Sequence, residues 1–329
     1  MMNKADRAKL AKKTINDFIP HLLKSDTRAR NGVEHSELIR YAPVSINKKF
    51  SPSPGISTDD LPEASQTRPR VSQSSLHDFF PNNPKKRKAE EDVQQSAESS
   101  KSESEACPVV PEPAPPRIRI VKSDTFDAAE ATIKAHPKSS IAVLNMASAL
   151  QPGGGVLRGA LAQEEALCIR STLYPSLNPA FYRMPVLSAI YTPDVLVFRG
   201  SDLVDLPKSE WFYTAVISCA ALKGPEVEKG KDGKLVYSVE KDREIMTEKV
   251  RLIFQIANEK GIKYLILGAL GCGAYHNPPE EVAEIFKKVI LGGRRKQGIT
   301  GIEEVTFAIF DEGENLRSFK KVFGDVAVD

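Results

Sequence analysis

Strongly apolar runs alternate with amphipathic segments from residue 116 to residue 329. Five runs have the character of buried strands: RIRIV, SSIAVLNMA, WFYTAVISCAA, IKYLILGAL and EVTFAIF. The segments between them, such as TFDAAEATIKAH and PPEEVAEIFKKVIL, carry apolar residues at helical spacing. Such alternation predicts a layered α/β domain that binds its ligands at the carboxyl ends of the strands.

The N-terminal region shows a different pattern. Residues 3–24 carry apolar positions near helical spacing with basic residues between them, which predicts a helix that Pro20 breaks or kinks. The chain up to about residue 50 is polar without being of low complexity. We therefore interpret residues 1–50 as a helical arm of the domain formed by residues 116–329.

Residues 51–115 separate the arm from the domain, and there the apolar pattern disappears. Ser and Pro together account for 22 of these residues, whereas Ile, Leu, Val, Phe, Met, Trp and Tyr account for only 9. So little apolar surface cannot offset the entropy that is lost on folding. The segment is therefore predicted to be a disordered insert.

Charge and cysteine content exclude several classes of protein. The net charge of +3 gives no reason to expect a general or sequence-specific nucleic-acid binder. The four cysteines lie far apart without metal-ligand spacing, which suits a reducing compartment without disulfides. No apolar run reaches transmembrane length and the N-terminus lacks a signal-peptide core, so we expect a soluble intracellular protein with no membrane partner.

Two glycine-rich loops follow predicted strands and precede predicted helices. The first glycine loop (residues 151–162) contains Gly153, Gly154 and Gly155, and the second (residues 268–277) contains the stretch GCGAYHN. Backbone N–H groups in this position can bind phosphates, and glycine leaves no Cβ to block a ligand. Tight turns without a ligand are the alternative explanation. The order of residues fits neither a dinucleotide fingerprint nor a P-loop.

Two adjacent glutamates follow the first glycine loop. After a gap of seven residues from Gly155 come Gln163, Glu164 and Glu165. Beside a phosphate loop, one carboxyl could hold sugar hydroxyls while the other moves a proton, as glycoside cleavage requires. A solvated helix face is the alternative explanation for such a pair.

The residues around both glycine loops resemble a known family. The stretch VLNMASALQPGGGVLRGALAQEEALCIRSTLYPSL resembles the microbial-type poly(ADP-ribose) glycohydrolases, whose signature is three glycines, a short gap and Gln-Glu-Glu. YLILGALGCGAYHNPPEEVAEIF is similar to the second phosphate loop of that family. The resemblance covers roughly residues 3–50 and 116–329. It implies a macrodomain-like three-layer α/β/α sandwich with a mixed sheet, and hydrolysis of poly(ADP-ribose) on modified proteins without a metal or other cofactor.

The resemblance also implies roles for individual residues. Glu165 would be the catalytic acid/base, Glu164 would hold ribose hydroxyls, and Gln163 would support the loop. Many macrodomains carry a second Asn where Ser148 stands here, so the chain departs from the common pattern of ribose contacts on that side. The other residues implied to contact ADP-ribose are Asn145, Gly153, Gly154, Gly155, Gly271, Cys272, Gly273, Ala274 and Tyr275, with Phe126 and Asp127 at the adenine end.

The insert carries two short motifs of its own. QSSLHDFF, residues 73–80, fits the motif that binds the sliding clamp PCNA, with Gln73, Leu76, Phe79 and Phe80 at its defining positions. The run that follows soon after, PKKRK, resembles a nuclear localisation signal and consists of Pro84, Lys85, Lys86, Arg87 and Lys88. A stray hydrophobic patch and a solvated basic run are the alternatives. Together the motifs favour a nuclear protein recruited to replication or repair sites.

Three functions are compatible with these features. The first is a poly(ADP-ribose) glycohydrolase that cleaves ribose–ribose O-glycosidic bonds and releases ADP-ribose. The second is a macrodomain that binds ADP-ribose chain ends without cutting them, and the third is a clamp-binding scaffold. The Gln-Glu-Glu triplet favours the enzyme, because a binding module needs the glycine loops but not the acid.

Overall fold

A seven-stranded mixed sheet runs through the centre of the protein. The computed structural model describes residues 2–41, 115–230, 232–293, 296–310 and 312–327. The strands found there, in chain order, are β1 (Glu37–Arg40), β2 (Arg117–Val121), β3 (Ile141–Met146), β4 (Ser188–Val197), β5 (Phe212–Cys219), β6 (Val227–Lys229), β7 (Leu235–Tyr237), β8 (Tyr264–Leu267), β9 (Gly292–Gly293), β10 (Lys296–Gln297) and β11 (Glu304–Ala308).

The order of strands across the sheet is β1-β4-β5-β3-β8-β11-β2. Strands β5, β3, β8, β11 and β2 are parallel, β4 is antiparallel to β5, and β1 is antiparallel to β4. The remaining strands form two short ribbons, β6–β7 and β9–β10. The carboxyl ends of the parallel strands therefore meet at one edge of the sheet, where the glycine loops begin.

Helices cover both faces of this sheet. In chain order they are α1 (Lys4–Lys13), α2 (Ile19–Ser25), α3 (Thr27–Glu34), α4 (Thr125–Ala135), α5 (Gln163–Arg170), α6 (Leu173–Ser176), α7 (Glu240–Glu259), α8 (Pro279–Leu291) and α9 (Glu314–Phe323). Alternate residues of β3 show the two faces: Leu144 packs in a core with α7, α8 and α9, whereas Val143 packs in a core with α4 and α5. The predicted three-layer α/β/α sandwich with a mixed sheet is confirmed.

The N-terminal arm contributes directly to this body. Its helix does not stop before Pro20 but passes through a π-helical turn, Thr14–Phe18, into α2, with the proline in the first turn of α2. A proline lacks the N–H that a continuing α-helix needs, so the change of hydrogen bonding lies just before it. The arm then adds β1 to the edge of the sheet, while α1 packs against the turn that follows the three glycines.

Two features of the fold differ from the pattern in the sequence. The apolar pattern did not indicate β1, which is short, or β4, which Pro193 and a left-handed Asp194 interrupt at a bulge between Thr192 and Val195. The helix predicted for ALAQEEALCIRSTLY ends at Arg170, because Ser171 is extended and its hydroxyl donates to the carbonyl of Leu167 at 2.8 Å.

The insert predicted for residues 51–115 lies almost wholly outside the described residues, as do the motifs at residues 73–80 and 84–88. Contacts along the chain divide it into two units, Met1–Pro43 with Glu112–Asp329, and Val44–Pro111. Only the first unit is described. Within the described ranges, no helix combines the length and apolar character needed to cross a membrane.

Candidate active site

A cleft of about 1240 Å³ opens at the carboxyl ends of the parallel strands. The first glycine loop and the start of α5 form one side, and the second glycine loop forms another. Residues 308–310, at and just past the end of β11, also belong to the lining. This is the edge at which open α/β sheets bind their ligands. The cleft therefore brings together the two loops that the sequence singled out.

Glu164 lies at the base of the cleft with only 4 % of its surface exposed. Its Oε2 accepts a hydrogen bond from Ser148 N at 2.8 Å, and its Oε1 accepts a longer one from Asn145 Nδ2 at 3.5 Å. Burial raises the pKa of this carboxyl to about 8, and the charge of Glu165 adds to the effect, although the hydrogen bonds oppose it. Glu164 is therefore mostly protonated at neutral pH.

Glu165 is also buried, but it is tied to the glycine loop instead of the sheet. Its Oε1 accepts from Gly155 N at 2.7 Å, and its Oε2 accepts from Ala162 N at 3.0 Å. The second contact satisfies a backbone N–H at the start of α5, as the acidic residue of a capping box does. Each carboxyl oxygen thus has one backbone donor, which holds the group in a fixed orientation at the cleft.

Gly154 lies directly against the two carboxyls and lines the cleft beside them. A Cβ added at this position would lie 2.7 Å from Glu165 Oε1 and 3.0 Å from Glu164 Oε2, and the residue's φ of 55° is left-handed. Gly153 is buried, and its Cβ would lie 2.8 Å from the Tyr174 ring. A Cβ at Gly155 would lie 2.7 Å from Ala160 Cβ. A side chain at any of the three positions would therefore collide with a carboxyl or with a side chain next to the loop.

Gln163 fixes the first turn of α5 to the end of β3. Its Oε1 accepts from Met146 N at 2.8 Å, while its Nε2 donates to Leu144 O at 2.6 Å and to Thr125 Oγ1 at 3.1 Å. The Gln163 side chain thus takes the place of the backbone hydrogen-bond partners that a neighbouring strand would supply to the end of β3. The residue was predicted to support the glycine loop; its hydrogen bonds instead support the strand end beside that loop.

Asn145 does not reach the cleft surface. It is fully buried, and its Nδ2 donates to Ser218 Oγ at 3.0 Å as well as to Glu164. The prediction that it contacts the ribose region is therefore corrected: its position in the middle of the sheet leaves its side chain beneath Glu164.

The second glycine loop is held by a residue that the sequence did not single out. Asn277 is buried, and its Nδ2 donates to Leu222 O at 2.7 Å and to Gly271 O at 3.1 Å. Gly271 has a φ of 75°, and its Cβ would lie 2.5 Å from Asn277 Nδ2. At Gly273, by contrast, no atom lies within 4 Å of the Cβ position. Gly273 therefore faces open space in the cleft.

The predicted residues of this second loop separate into two groups. Gly271, Gly273, Ala274 and Tyr275 line the cleft. Cys272 turns inward to the core of α7, α8 and α9, and burial raises the pKa of its thiol. Its predicted contact with ADP-ribose is therefore corrected for the side chain, since the turn of the loop directs that side chain away from the cleft.

Ser148 connects the two glycine loops. Its backbone N–H binds Glu164, and its side chain hydrogen-bonds to Tyr275. Burial raises the pKa of the Tyr275 hydroxyl, so that group stays protonated and available as a donor at neutral pH. The residue that replaces the second Asn of many macrodomains thus has a supporting role of its own.

The two residues predicted for the adenine end lie in different surroundings. Phe126 is fully buried, with its ring against Phe212 and beneath the Arg170 guanidinium. Asp127 pairs with Arg170 Nη2 at 2.8 Å, but its side chain is 43 % exposed and lines a smaller pocket together with Phe310. The prediction is therefore corrected for the Phe126 side chain, whereas Asp127 stays a candidate for the adenine end. Asp124, which caps α4 and binds Arg170 Nη1 at 2.5 Å, does reach the lining.

Phe310 is a cleft residue that sequence reasoning missed. It follows the end of β11 and is 74 % exposed, the highest value among the large apolar residues described. An aromatic ring at the surface of a nucleotide-sized cleft is suited to stacking on a base. The signal in the sequence was its position, directly past a strand end on the ligand-binding edge.

Fold and cleft together define a class before any relative is considered: an α/β sandwich of macrodomain type with two buried carboxyls in the lining of its cleft. No group of His, Cys, Asp and Glu suited to a metal occurs in the part of the chain that the structure describes. Proteins that share a macrodomain-like sandwich differ in function according to the residues of their sites. The family therefore has to be established by comparison with known proteins.

Residues 71–200 match the family model of the microbial-type PARG catalytic domain. The solved poly(ADP-ribose) glycohydrolase from Thermomonospora curvata is 32 % identical, with a TM-score of 0.54 over 64 % of this chain and 77 % of that one. The enzyme from Deinococcus radiodurans, solved in complex with ADP-ribose, is 28 % identical, with a TM-score of 0.55 over 66 % and 87 % of the two chains. A comparison with curated proteins gives no match.

The chain belongs to the microbial-type poly(ADP-ribose) glycohydrolase family. It is accordingly an enzyme, and its class is that of the hydrolases. A structure of the Thermomonospora curvata protein bound to the inhibitor ADP-HPD is also similar, at 30 % identity and a TM-score of 0.51 over 62 % of this chain and 78 % of that one.

Proposed function

We propose that this protein hydrolyses the ribose–ribose O-glycosidic bonds of poly(ADP-ribose), including polymer attached to modified proteins, and releases ADP-ribose. The observation that carries the proposal is the pair of buried carboxyls, Glu164 and Glu165, fixed beside the glycine triplet in a nucleotide-sized cleft. A protein that only binds ADP-ribose has no need to bury two adjacent carboxyls, because their desolvation is unfavourable.

In this proposal the parts of ADP-ribose lie along the cleft in the order adenine, diphosphate and second ribose. Phe310 offers a ring for the adenine, and the second glycine loop, with open space at Gly273, offers backbone to the diphosphate. The second ribose then lies over Gly154 and the two carboxyls. The glycosidic bond to the next unit of the polymer is thereby placed within reach of a proton donor.

We assign proton transfer to Glu165. Its carboxyl is oriented by the glycine loop, while Glu164 is tied to the sheet through Ser148 and Asn145. In its protonated form Glu165 gives a proton to the leaving ribose oxygen as the carbon–oxygen bond breaks, and the resulting carboxylate takes a proton back from the water that attacks the oxocarbenium-like carbon. Glu164, protonated at neutral pH, donates a hydrogen bond to a ribose hydroxyl and orients the sugar.

The proposal is tested by incubating the full chain with labelled poly(ADP-ribose), alongside a Glu165→Gln variant. We expect the wild-type protein to release ADP-ribose and the variant to bind ADP-ribose without cutting polymer. Hydrolysis that survives in the variant would remove Glu165 from the acid/base role. If neither protein cuts while both bind ADP-ribose, the protein is a binding module.

Recruitment to the sliding clamp PCNA is a second part of the proposal. It rests on the spacing of Gln73, Leu76, Phe79 and Phe80, which brings three apolar side chains to one face of a helical turn. Replacing Phe79 and Phe80 together with Ala should abolish pull-down of the clamp and leave hydrolysis unchanged. If the double variant pulls down as much clamp as the wild type does, the clamp assignment is contradicted.

Nuclear localisation is the third part, and it rests on the basic run of Lys85, Lys86, Arg87 and Lys88. Replacing the four residues with Ala should shift a fluorescent fusion of the full chain from the nucleus to the cytoplasm. A fusion that stays nuclear would contradict this assignment.

A further inference from the structure

The cleft extends past the carboxyl pair to residues of the N-terminal arm. Met2, Arg7, Arg158 and Leu161 all belong to its lining. Met2 lies just before α1 and Arg7 lies within it, whereas Arg158 and Leu161 belong to the first glycine loop. The extension is therefore formed where the N-terminal arm meets the body, next to Glu165.

Arg158 is the cation that lies beside the proposed proton donor. Its Nη2 lies 3.9 Å from the Cβ position of Gly155, and Glu165 Oε1 lies 3.4 Å from the same point. The side chain is exposed, and its guanidinium has no hydrogen-bond or ion-pair partner among the described residues. An unpaired guanidinium keeps all its donors available for an anion.

Arg7 adds a second cation that the fold holds in place. Its Nε donates to Gly159 O at 3.1 Å, and its Nη1 donates to Met2 O at 2.5 Å. A Cβ at Gly159 would collide with the carbonyl of Lys4, so α1 rests directly on the turn that carries Arg158. The two guanidinium groups are thus attached to elements whose relative position is fixed by backbone contact.

Exposed apolar side chains complete the extension. Leu161 is 49 % exposed and Met2 is 39 % exposed, and both line the cleft. Apolar side chains next to two guanidinium groups suit a ligand that has a flat base and a phosphate close together. The leaving group of the proposed reaction has that chemistry, because it is itself an ADP-ribose unit whose diphosphate lies a few bonds from the leaving oxygen.

We propose that Arg158, Arg7, Leu161 and Met2 form a leaving-group subsite that binds the adenosine diphosphate part of the adjoining polymer unit. The inference rests on the proposed function. It assigns the two arginines to the phosphates and the two apolar side chains to the base. Binding energy gained here holds the bond to be cut against Glu165 and favours polymer over substrates with a small leaving group.

The subsite is tested by comparing two substrates with the full-length protein. One is poly(ADP-ribose), and the other is ADP-ribose with a neutral aryl leaving group at the same anomeric carbon. For Arg158→Ala we expect kcat/KM on polymer to fall about tenfold, the loss of roughly one charge-assisted hydrogen bond, with less dependence on salt. On the aryl substrate the change should stay within about twofold, since that leaving group carries no phosphate.

Arg40→Ala is the matched control, because Arg40 is an exposed arginine on the edge strand β1 that does not line the cleft. It removes the same charge and should leave both substrates unaffected, whereas Arg158→Lys should recover part of the polymer activity. Equal losses on both substrates, or no loss on polymer, would overturn the subsite. A wild-type protein that cuts neither substrate would contradict the proposed function itself, and the subsite with it.

Discussion

The two glycine loops follow neighbouring parallel strands and look alike in sequence, yet their glycines serve different purposes. In the first loop, Gly153, Gly154 and Gly155 are each confined by other protein atoms, and Gly154 touches both carboxyls. In the second loop, Gly271 is confined by Asn277, but Gly273 has no neighbour within 4 Å of its Cβ position. The protein's own packing requires glycine throughout the first loop and at Gly271, whereas at Gly273 it leaves the Cβ position open to the cleft.

This difference indicates that the two loops have different functions. The first loop orients the reactive groups, so a change there should impair the reaction itself. The second leaves room for a ligand, so a change at Gly273 should impair binding while the protein folds normally. Substitutions in the two loops therefore distinguish orientation of the carboxyls from contact with the diphosphate.

The largest of these effects is expected for Gly154→Ala. The new Cβ would displace both carboxyls, and misplacement by an ångström costs about a hundredfold in rate. We expect kcat on poly(ADP-ribose) to fall by at least that factor. Gly261→Ala is the matched control: Gly261 also has a left-handed φ, of 65°, but has open space around its Cβ position.

The control should lose about 1 kcal/mol of unfolding free energy from backbone strain alone and keep its activity. Chemical denaturation and steady-state kinetics measured on both variants separate the two effects. Full activity in Gly154→Ala would mean that the first loop does not position the carboxyls.

A smaller effect, on binding, is expected for Gly273→Ala. The added methyl group meets no protein atom, so the unfolding free energy should stay within about 0.5 kcal/mol of the wild type or rise slightly. A ligand phosphate that approaches the backbone would meet it, and we expect ADP-ribose to bind about tenfold more weakly. Calorimetric titration with ADP-ribose gives the result, and unchanged affinity would show that the diphosphate does not approach the second loop.

Phe310→Ala tests the adenine end and should weaken ADP-ribose binding by about five- to tenfold, the low end of the loss when one stacking aromatic is removed. Because the ring is exposed, the unfolding free energy should hardly change. Phe310→Tyr keeps the ring and should keep the affinity. Equal binding by the alanine variant would place the base elsewhere.

A separate effect, on stability instead of turnover or binding, comes from Glu164. Its pKa of about 8 in the folded protein lies above the ordinary value for glutamate, so the folded state holds a proton that the unfolded state releases at lower pH. The wild-type protein should therefore lose unfolding free energy, relative to Glu164→Gln, as pH rises from about 5 to 8, by up to about 1.4 kcal/mol per pH unit. Urea unfolding across that range measures the difference. Parallel curves for the two proteins would show that Glu164 has an ordinary pKa.

Much of this architecture could be predicted from local patterns. The continuous apolar run at β3 indicates a strand that is covered on both faces, and its residues are indeed buried up to Asn145. Strands β1 and β4 could not be found in that way. They are antiparallel, and β4 carries Pro193 and a left-handed Asp194, so neither shows a regular apolar pattern.

The candidate site could be predicted only in part, for a related reason. Spacing along the chain brought Gln163, Glu164 and Glu165 next to the glycine triplet. It could not show that Ser148 and Asn145 hold Glu164, or that Asn277 holds the second loop, since these contacts join residues on different elements. Phe126 stands in the same helix as the residues that line the site, but the helix turns its ring into the core.

The central claim is the division of labour between the two glutamates, and the turnover of Glu165→Gln and Glu164→Gln on poly(ADP-ribose) at neutral pH tests it most directly. Glutamine is a close mimic of a protonated glutamate, because it is neutral and has both a donor and an acceptor. Glu164→Gln should therefore keep kcat within about tenfold of the wild type, whereas Glu165→Gln should lose about a thousandfold, the contribution of a general acid/base. The reverse order, with Glu164→Gln inactive and Glu165→Gln active, would contradict the account.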